Sequence, residues 1–186
     1  MKKTITLLLS VLALQACVET AIVAGAVTAV GAANDPRSVG TQIDDNGLEV
    51  KATYQLMMDD AIRKHTNINV VSYNGVVLVV GQAPNQFLID KALGIINELP
   101  HIKKVHNQIK LGTPAVMTDK AKDTWITTKV KSELLTDDEL DGHNIKVVTE
   151  NKEVYLMGLV KEEQAERAAK IASQIYGVER VIKVFQ

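Results

Sequence analysis

One cysteine, one tryptophan and four prolines in 186 residues leave several chemistries with nothing to work with. A single cysteine excludes an intramolecular disulfide framework and any zinc site built from paired cysteines. Neither charge sign is in excess: 21 Lys and Arg stand against 22 Asp and Glu, a formal net charge of −1. That balance excludes the strongly basic domain expected of a nucleic-acid binder. Aromatic residues make up 4% of the chain, so a core has to come from Val, Ile, Leu and Ala. No apolar run reaches the roughly 20 residues that a membrane-spanning helix requires. There is no GxSxG elbow, no GxGxxG and no P-loop. His65, His101, His106 and His143 have neither the HExxH spacing nor a cysteine partner, which points to solvated or structural histidines. The acidic run Asp137, Asp138, Glu139 and Asp141 lacks the EF-hand spacing and its glycine, and reads as a solvated loop. No catalytic residue, cofactor, metal or small-molecule substrate is expected. The 46% of hydrophobic residues nevertheless belongs to a globular chain.

What is present begins with a leader. Lys2 and Lys3 precede an apolar stretch, Ile5 to Leu14, of signal-peptide length. Leu14-Gln15-Ala16-Cys17 follows and resembles a bacterial lipobox, although Gln15 departs from the usual small or β-branched residue. The resemblance implies a signal peptide over 1–16 and a lipid-modified Cys17. A thiolate is what can be alkylated to a thioether, and the small Ala16 suits a peptidase site. The alternative is a free cysteine beside an ordinary cleavage site. Residue 18 is Val, where an Asp commonly signals inner-membrane retention in Gram-negative lipoproteins. By that resemblance the protein is anchored in the outer membrane and faces the periplasm. Residues 17–45 then form the lipidated N-terminus and a tether, with a small-residue apolar stretch from Ala21 to Ala33. Breakers at Asn34-Asp35-Pro36-Arg37-Ser38 and a second linker at Leu111-Gly112-Thr113-Pro114 separate the parts.

The body of the chain is a repeat. Asn67-Ile68-Asn69-Val70-Val71 matches Asn144-Ile145-Lys146-Val147-Val148, and the match runs on through Val77/Val154, Val79/Leu156 and Gly81/Gly158. After one extra residue in the first copy it resumes: Ala92/Ala168, Ile95/Ile171, Leu99/Ile175, Ile102/Val178, Val105/Val181 and Ile109/Phe185. A period this long means tandem domains rather than a solenoid. Each copy opens with apolar residues every four positions, Leu48, Ala52 and Leu56 or Ile126, Val130 and Leu134, the mark of one helix face. Two β-rich runs follow, joined by turns at Tyr73-Asn74-Gly75 and Glu150-Asn151-Lys152. Gly81 and Gly158 are expected to end the second strand. A helix comes next, clearest over Glu162 to Tyr176, with Ala165, Ala168, Ala169, Ala172 and Ile175 inward and Gly177 as its stop. Lys103 to Leu111, or Glu179 to Phe185, closes the copy. The fold class is α+β: two tandem αββαβ domains, over 46–112 and 118–186, each a two-layer sandwich of helices on a three-stranded sheet.

Gly158 at a strand end, an alanine-rich helix, then Gly177-Val178 and Val181 resemble the BON domain of bacterial envelope proteins. The first copy has His101 in place of that glycine, so its helix is expected to end differently. The strings from Asp35 to Gln42 and from Asp123 to Val130 resemble outer-membrane lipoproteins with two BON domains. The resemblance implies phospholipid binding, a part in envelope integrity, stress and cell division, and no catalysis.

On a helix at about 100° per residue, Ile126, Val130 and Leu134 face the core. Trp125, Thr128, Ser132 and Leu135 face away from it, flanked by Lys129 and Lys131. An amphipathic indole with lysines suits a membrane interface bearing anionic phosphates. The first copy offers Gly47, Val50, Tyr54 and Met57 at the same places, without a tryptophan. Trp125 packed on its own core, or Leu135 packed between domains, is the structural alternative. Lys120, Lys122, Lys129 and Lys131 are offset by Asp119, Asp123 and Glu133, a local net of +1. The expected partner is an anionic phospholipid membrane, read by the second domain through Trp125, Thr128, Lys129, Lys131, Ser132 and Leu135. The second reading is an adaptor that binds an outer-membrane or division-machinery protein through the same face.

Overall fold

The computed structural model describes residues 35–114 and 117–186; the leader, Cys17 and the small-residue stretch up to Ala33 lie outside the described residues. Residues 36–186 form one compact unit.

The first helix, α1 (Val39–Met58), starts where Ser38 accepts the Thr41 amide at 3.1 Å. Val39 to Asp45, which composition assigns to the tether, are therefore its opening turns, held by a conventional N-cap. Asp59 breaks out of the helix and caps the short α2 (Asp60–His65), taking the Ala61 and Ile62 amides at 3.0 and 3.1 Å. Then come β1 (Asn67–Tyr73), β2 (Val76–Ala83), α3 (Gln86–Asn97) and β3 (Lys104–Leu111). The second copy runs α4 (Met117–Thr136), a 3-10 turn at Gly142–Asn144, β4 (Ile145–Glu150), β5 (Glu153–Gly158), α5 (Glu162–Ser173) and β6 (Arg180–Phe185). Apart from α2 and the 3-10 turn the order is αββαβ twice. Both sheets have the same design: β1-β2-β3 and β4-β5-β6, with an antiparallel hairpin and a parallel third strand reached by a helical crossover.

Two expectations about glycine need correcting. Gly81 lies inside β2, which continues to Ala83, whereas Gly158 does end β5. His101 adopts φ 68°, beside φ 91° for Gly177, so the first domain makes the same left-handed turn without glycine. Its α3 accordingly ends like α5, each 12 residues long. The helix over Glu162 to Tyr176 stops at Ser173, after which Gln174 and Ile175 bond back three residues, to Ile171 and Ala172.

Each hairpin turn puts both central residues at positive φ, 52° and 76° at Asn74-Gly75 and 49° and 62° at Asn151-Lys152. Such turns match the twist of the strands. Lys152 takes a backbone shape that costs about 1–2 kcal/mol for a residue with a Cβ. A buried aspartate on the first helix of each domain offsets that cost. Asp45 takes the Asn74 and Gly75 amides at 2.7 and 2.9 Å, and Asp123 takes those of Asn151 and Lys152, both at 2.8 Å. Burial works to raise the Asp45 pKa. The Ser72 hydroxyl, the Gly75 and Asn74 amides and Arg37 outweigh it, so the carboxyl sits below its ordinary 3.8. A depressed carboxylate pKa stabilises the fold above the unfolded value, and that contribution is lost as pH falls through the lower folded value. Asp45→Asn should therefore lower the melting temperature at pH 7 and make its decline below about pH 4 shallower. Thermal melts across that range check both.

One face of the first sheet carries Val70, Val77, Val79 and Ile109 against Leu48, Ala52, Leu56, Leu88, Ala92 and Ile96 of the helices. The second domain repeats this with Val147, Val154 and Leu156 under Ile126, Val130, Leu134, Ala168 and Ala172. The opposite faces meet each other: Val71, Tyr73, Val76, Leu78 and Val80 pack with Tyr155, Met157 and Val184. The two domains thus stack sheet to sheet, with helices on both outer layers. This explains why β2 and β5 are buried at every position. Fully burying one Val or Leu side chain contributes about 1.5–3 kcal/mol, so this shared core holds the domains as one body. Across the same contact Lys110 pairs with Glu153 at 2.5 Å, and within the second domain Glu153 also receives Arg180 at 2.5 Å and the Tyr155 hydroxyl at 3.0 Å.

Candidate functional site

The outer face of α4 follows from what its inner face must bury. Ile126, Val130 and Leu134 are sealed in the core, which turns Trp125 and Leu135 outward, 46% and 49% exposed. Thr128, Lys129, Lys131 and Ser132 are exposed on the same side. The tryptophan is not packed into its own core, and Leu135 lies on the outer layer, away from the sheet-to-sheet contact. The six residues do not converge on one point, since Trp125 and Leu135 are separated by about 15 Å of helix. The Thr128 hydroxyl donates to the Thr124 carbonyl at 2.9 Å, so it offers a methyl rather than a proton to a ligand.

Around Trp125 the structure adds residues that the helix pattern does not reveal. Trp125, Ala121, Lys122 and Ile126 from α4, Lys152 from the hairpin turn, and Tyr176 and Gly177 from the loop after α5 line a groove of about 590 Å³. Tyr176 is 88% exposed. It is displaced from α5 because the helix closes at Ser173 and Gly177 turns the chain. In a sequence with one Trp and four Tyr, an aromatic directly before a helix-stopping glycine is the signal that points to it.

Asp123 is 6% exposed and its carboxylate is bound to the turn amides, but it keeps its charge, so the local net stays at +1. Lys122 pairs with Asp119 at 3.0 Å, and Lys152 with Glu179 at 2.7 Å, which raises the Lys152 pKa. Lys120 is drawn to Asn67 at 2.7 Å. Lys129 and Lys131 have no acidic partner among the described residues. The run from Asp137 to Asp141 is less solvated than expected: Arg167 grips Asp137 at 2.7 and 2.9 Å and Glu139 at 2.6 Å.

The corresponding surface of the first domain has Gly47 for Trp125, Pro100 for Tyr176, Asp44 for Lys122 and Gly75 for Lys152. It has neither the indole nor the phenol ring, and His101 and Lys103 line it beside Asp44 and Asp45. Among the described residues no helix is long and apolar enough to cross a membrane, and no cluster of three or more His, Cys, Asp or Glu could hold a metal ion.

The BON domain profile matches residues 44–113 and 122–186. The chain is 40% identical to "Outer membrane lipoprotein DolP" of Haemophilus influenzae over 186 residues, all of this chain and 96% of that protein. It is 41% identical over 150 residues to the "21 kDa hemolysin" of Actinobacillus pleuropneumoniae, covering 81% of this chain and 77% of that one. With "Osmotically-inducible protein Y" of Escherichia coli it shares 30% identity over 146 residues, 77% of this chain and 72% of that one. Two matched segments, each coinciding with one αββαβ copy, and full-length similarity make this chain a member of the BON domain family with the domain in tandem.

Proposed function

We propose that this protein is a non-enzymatic lipoprotein of the outer membrane, anchored through Cys17 and facing the periplasm, that docks on anionic phospholipid through its second BON domain and supports envelope integrity. The full-length similarity to an outer-membrane lipoprotein supports the location. The observation that carries the lipid reading is the groove where Trp125 and Tyr176 stand exposed between Lys122 and Lys152, a combination absent from the first domain. Amphipathic aromatic rings settle at headgroup level, where lysines meet phosphates. A lysine near an anionic surface contributes about 1 kcal/mol, so affinity per domain is modest. The anchor compensates by raising the local concentration of the domain at the bilayer.

The test uses the whole chain made unlipidated by Cys17→Ala. An isolated second domain would expose the apolar sheet face of Tyr155 and Met157, which the first domain covers. Co-sedimentation with protein-free anionic vesicles is expected, with little on zwitterionic ones. Trp125→Ala together with Tyr176→Ala should cut binding about tenfold or more while moving the melting temperature little, because exposed substitutions stay within about 0.5 kcal/mol. Lys129→Glu should weaken binding more at low salt than at high, since screening acts over about 8 Å at physiological ionic strength. Ile126→Ala should do the reverse, lowering the melting temperature first. A chain that ignores anionic vesicles but still needs the same face for activity in cells would favour the protein-adaptor reading.

A further inference from the structure

Helix α1 carries a second stripe, on the side away from its core. Ile43, Gly47, Val50, Tyr54 and Met57 recur at alternating steps of four and three, the period that keeps a seam turned toward one partner helix. Ile43, Val50, Tyr54 and Met57 are 64%, 69%, 62% and 57% exposed, while Asp45, Leu48, Ala52 and Leu56 on the opposite side are buried. At Gly47 an added Cβ would meet nothing within 4 Å, so another backbone could approach there. Because the sheets stack face to face, α1 and α4 occupy opposite outer layers. A bilayer seated on α4 does not reach this stripe, and Asp44 stands where the lipid-facing helix has Lys122.

We infer that the α1 stripe is a contact between two copies of this chain, packed as an antiparallel pair of α1 helices. In the register that sets Gly47 against the partner's Val50, Ile43 meets the partner's Tyr54 and Gly40 meets the partner's Met57, large residues against small. That register also sets Asp44 beside the partner's Lys51, and the two-fold axis repeats the pair. A slip of one heptad brings Lys51 against Lys51, or Asp44 against Asp44, and like charges disfavour both. Asp44 and Lys51 have no ionic or hydrogen-bond partner among the described residues, so both charges are available. Charge and size thus select the same register. The contact is at the small end of specific interfaces, which makes the dimer weak and concentration-dependent.

The experiment is sedimentation equilibrium on the unlipidated full chain in lipid-free buffer. A reversible monomer–dimer equilibrium is expected. Asp44→Lys should weaken it about tenfold or more, since it turns two attractive pairs into two repulsive ones. Asp44→Lys combined with Lys51→Asp should restore it, and Val50→Glu should abolish it; melting curves confirm that each exposed variant folds. A monomer at every concentration up to about 1 mM would overturn the inference. So would a dimer that Asp44→Lys leaves unchanged. The inference does not rest on the lipid reading. A monomer that binds anionic vesicles leaves that reading standing, and a dimer that ignores them leaves this one standing.

Discussion

Gly81→Ala is expected to prevent the first domain from folding. Gly81 holds φ 126°, and a Cβ there would lie 1.8 Å from the Asn67 carbonyl oxygen, 2.8 Å from its carbon and 3.0 Å from the Ile68 Cα. All three are backbone atoms, and Gly81 is paired with Ile68 in the β1–β2 ladder, so neither strand can retreat without breaking the hairpin. Relief would have to move β2, which is buried along its whole length between α1 and the second sheet. A loss of more than about 4–5 kcal/mol is the outcome for changes of this kind, comparable with the whole stability of a small domain. Gly158→Ala meets the Asn144 carbonyl at 2.5 Å, a milder clash at the end of a strand, and should cost less. Far-UV circular dichroism and thermal melts of the two variants, beside Gly94→Ala in an open helical position, give the ranking. A Gly81→Ala chain that melted like wild type would contradict the strand geometry described here.

The repeat, the two helix faces and the hairpins were legible because each rests on periods of two and 3.6 that apolar side chains display directly. Leu48, Ala52, Leu56, Ile126, Val130 and Leu134 are all buried, as their spacing requires. The stacking of the sheets was written in the same residues but in a different feature. Val76 to Val80 and Val154 to Met157 do not alternate with polar residues, and an uninterrupted apolar strand is one covered on both faces. The aspartate clamps could not be seen, because Asp45 and Asp123 meet their turns across 28 to 30 residues, a distance at which spacing carries no signal. Trp125 was visible on its helical wheel. Tyr176 was not, because its exposure depends on where α5 closes, and end positions are set by competing local hydrogen bonds rather than by period.

The divergence of the two copies bears on function more than their likeness does. Both keep the buried aspartate, the positive-φ turn and the left-handed residue after the second helix, since each is a requirement of the fold. Their outward surfaces differ: one end of the second domain carries Trp125, Tyr176 and two lysines, while the first domain carries an apolar stripe flanked by Asp44 and Lys51.

Cys17→Ala is expected to release the protein from the membrane without disturbing its fold. The lipobox-like Leu14-Gln15-Ala16-Cys17 supplies the one thiol in the chain, and a thioether cannot form on alanine. Each buried CH₂ of an acyl chain contributes about 0.8 kcal/mol, so two or more chains on one residue hold against dilution and salt, whereas a surface groove does not. Without them the attachment left under the proposed function would be the Trp125 face, with modest affinity and a charge component that salt screens. Wild type should stay in the membrane fraction through a high-salt wash. The Cys17→Ala chain should appear mainly in the soluble periplasmic fraction, with a residue on membranes that salt removes and that Trp125→Ala removes further. Both forms should melt alike, because residues 36–186 form a compact unit of their own. Recovery of Cys17→Ala in salt-washed membranes as complete as wild type would mean that the leader is not a lipoprotein signal and that another element anchors the chain.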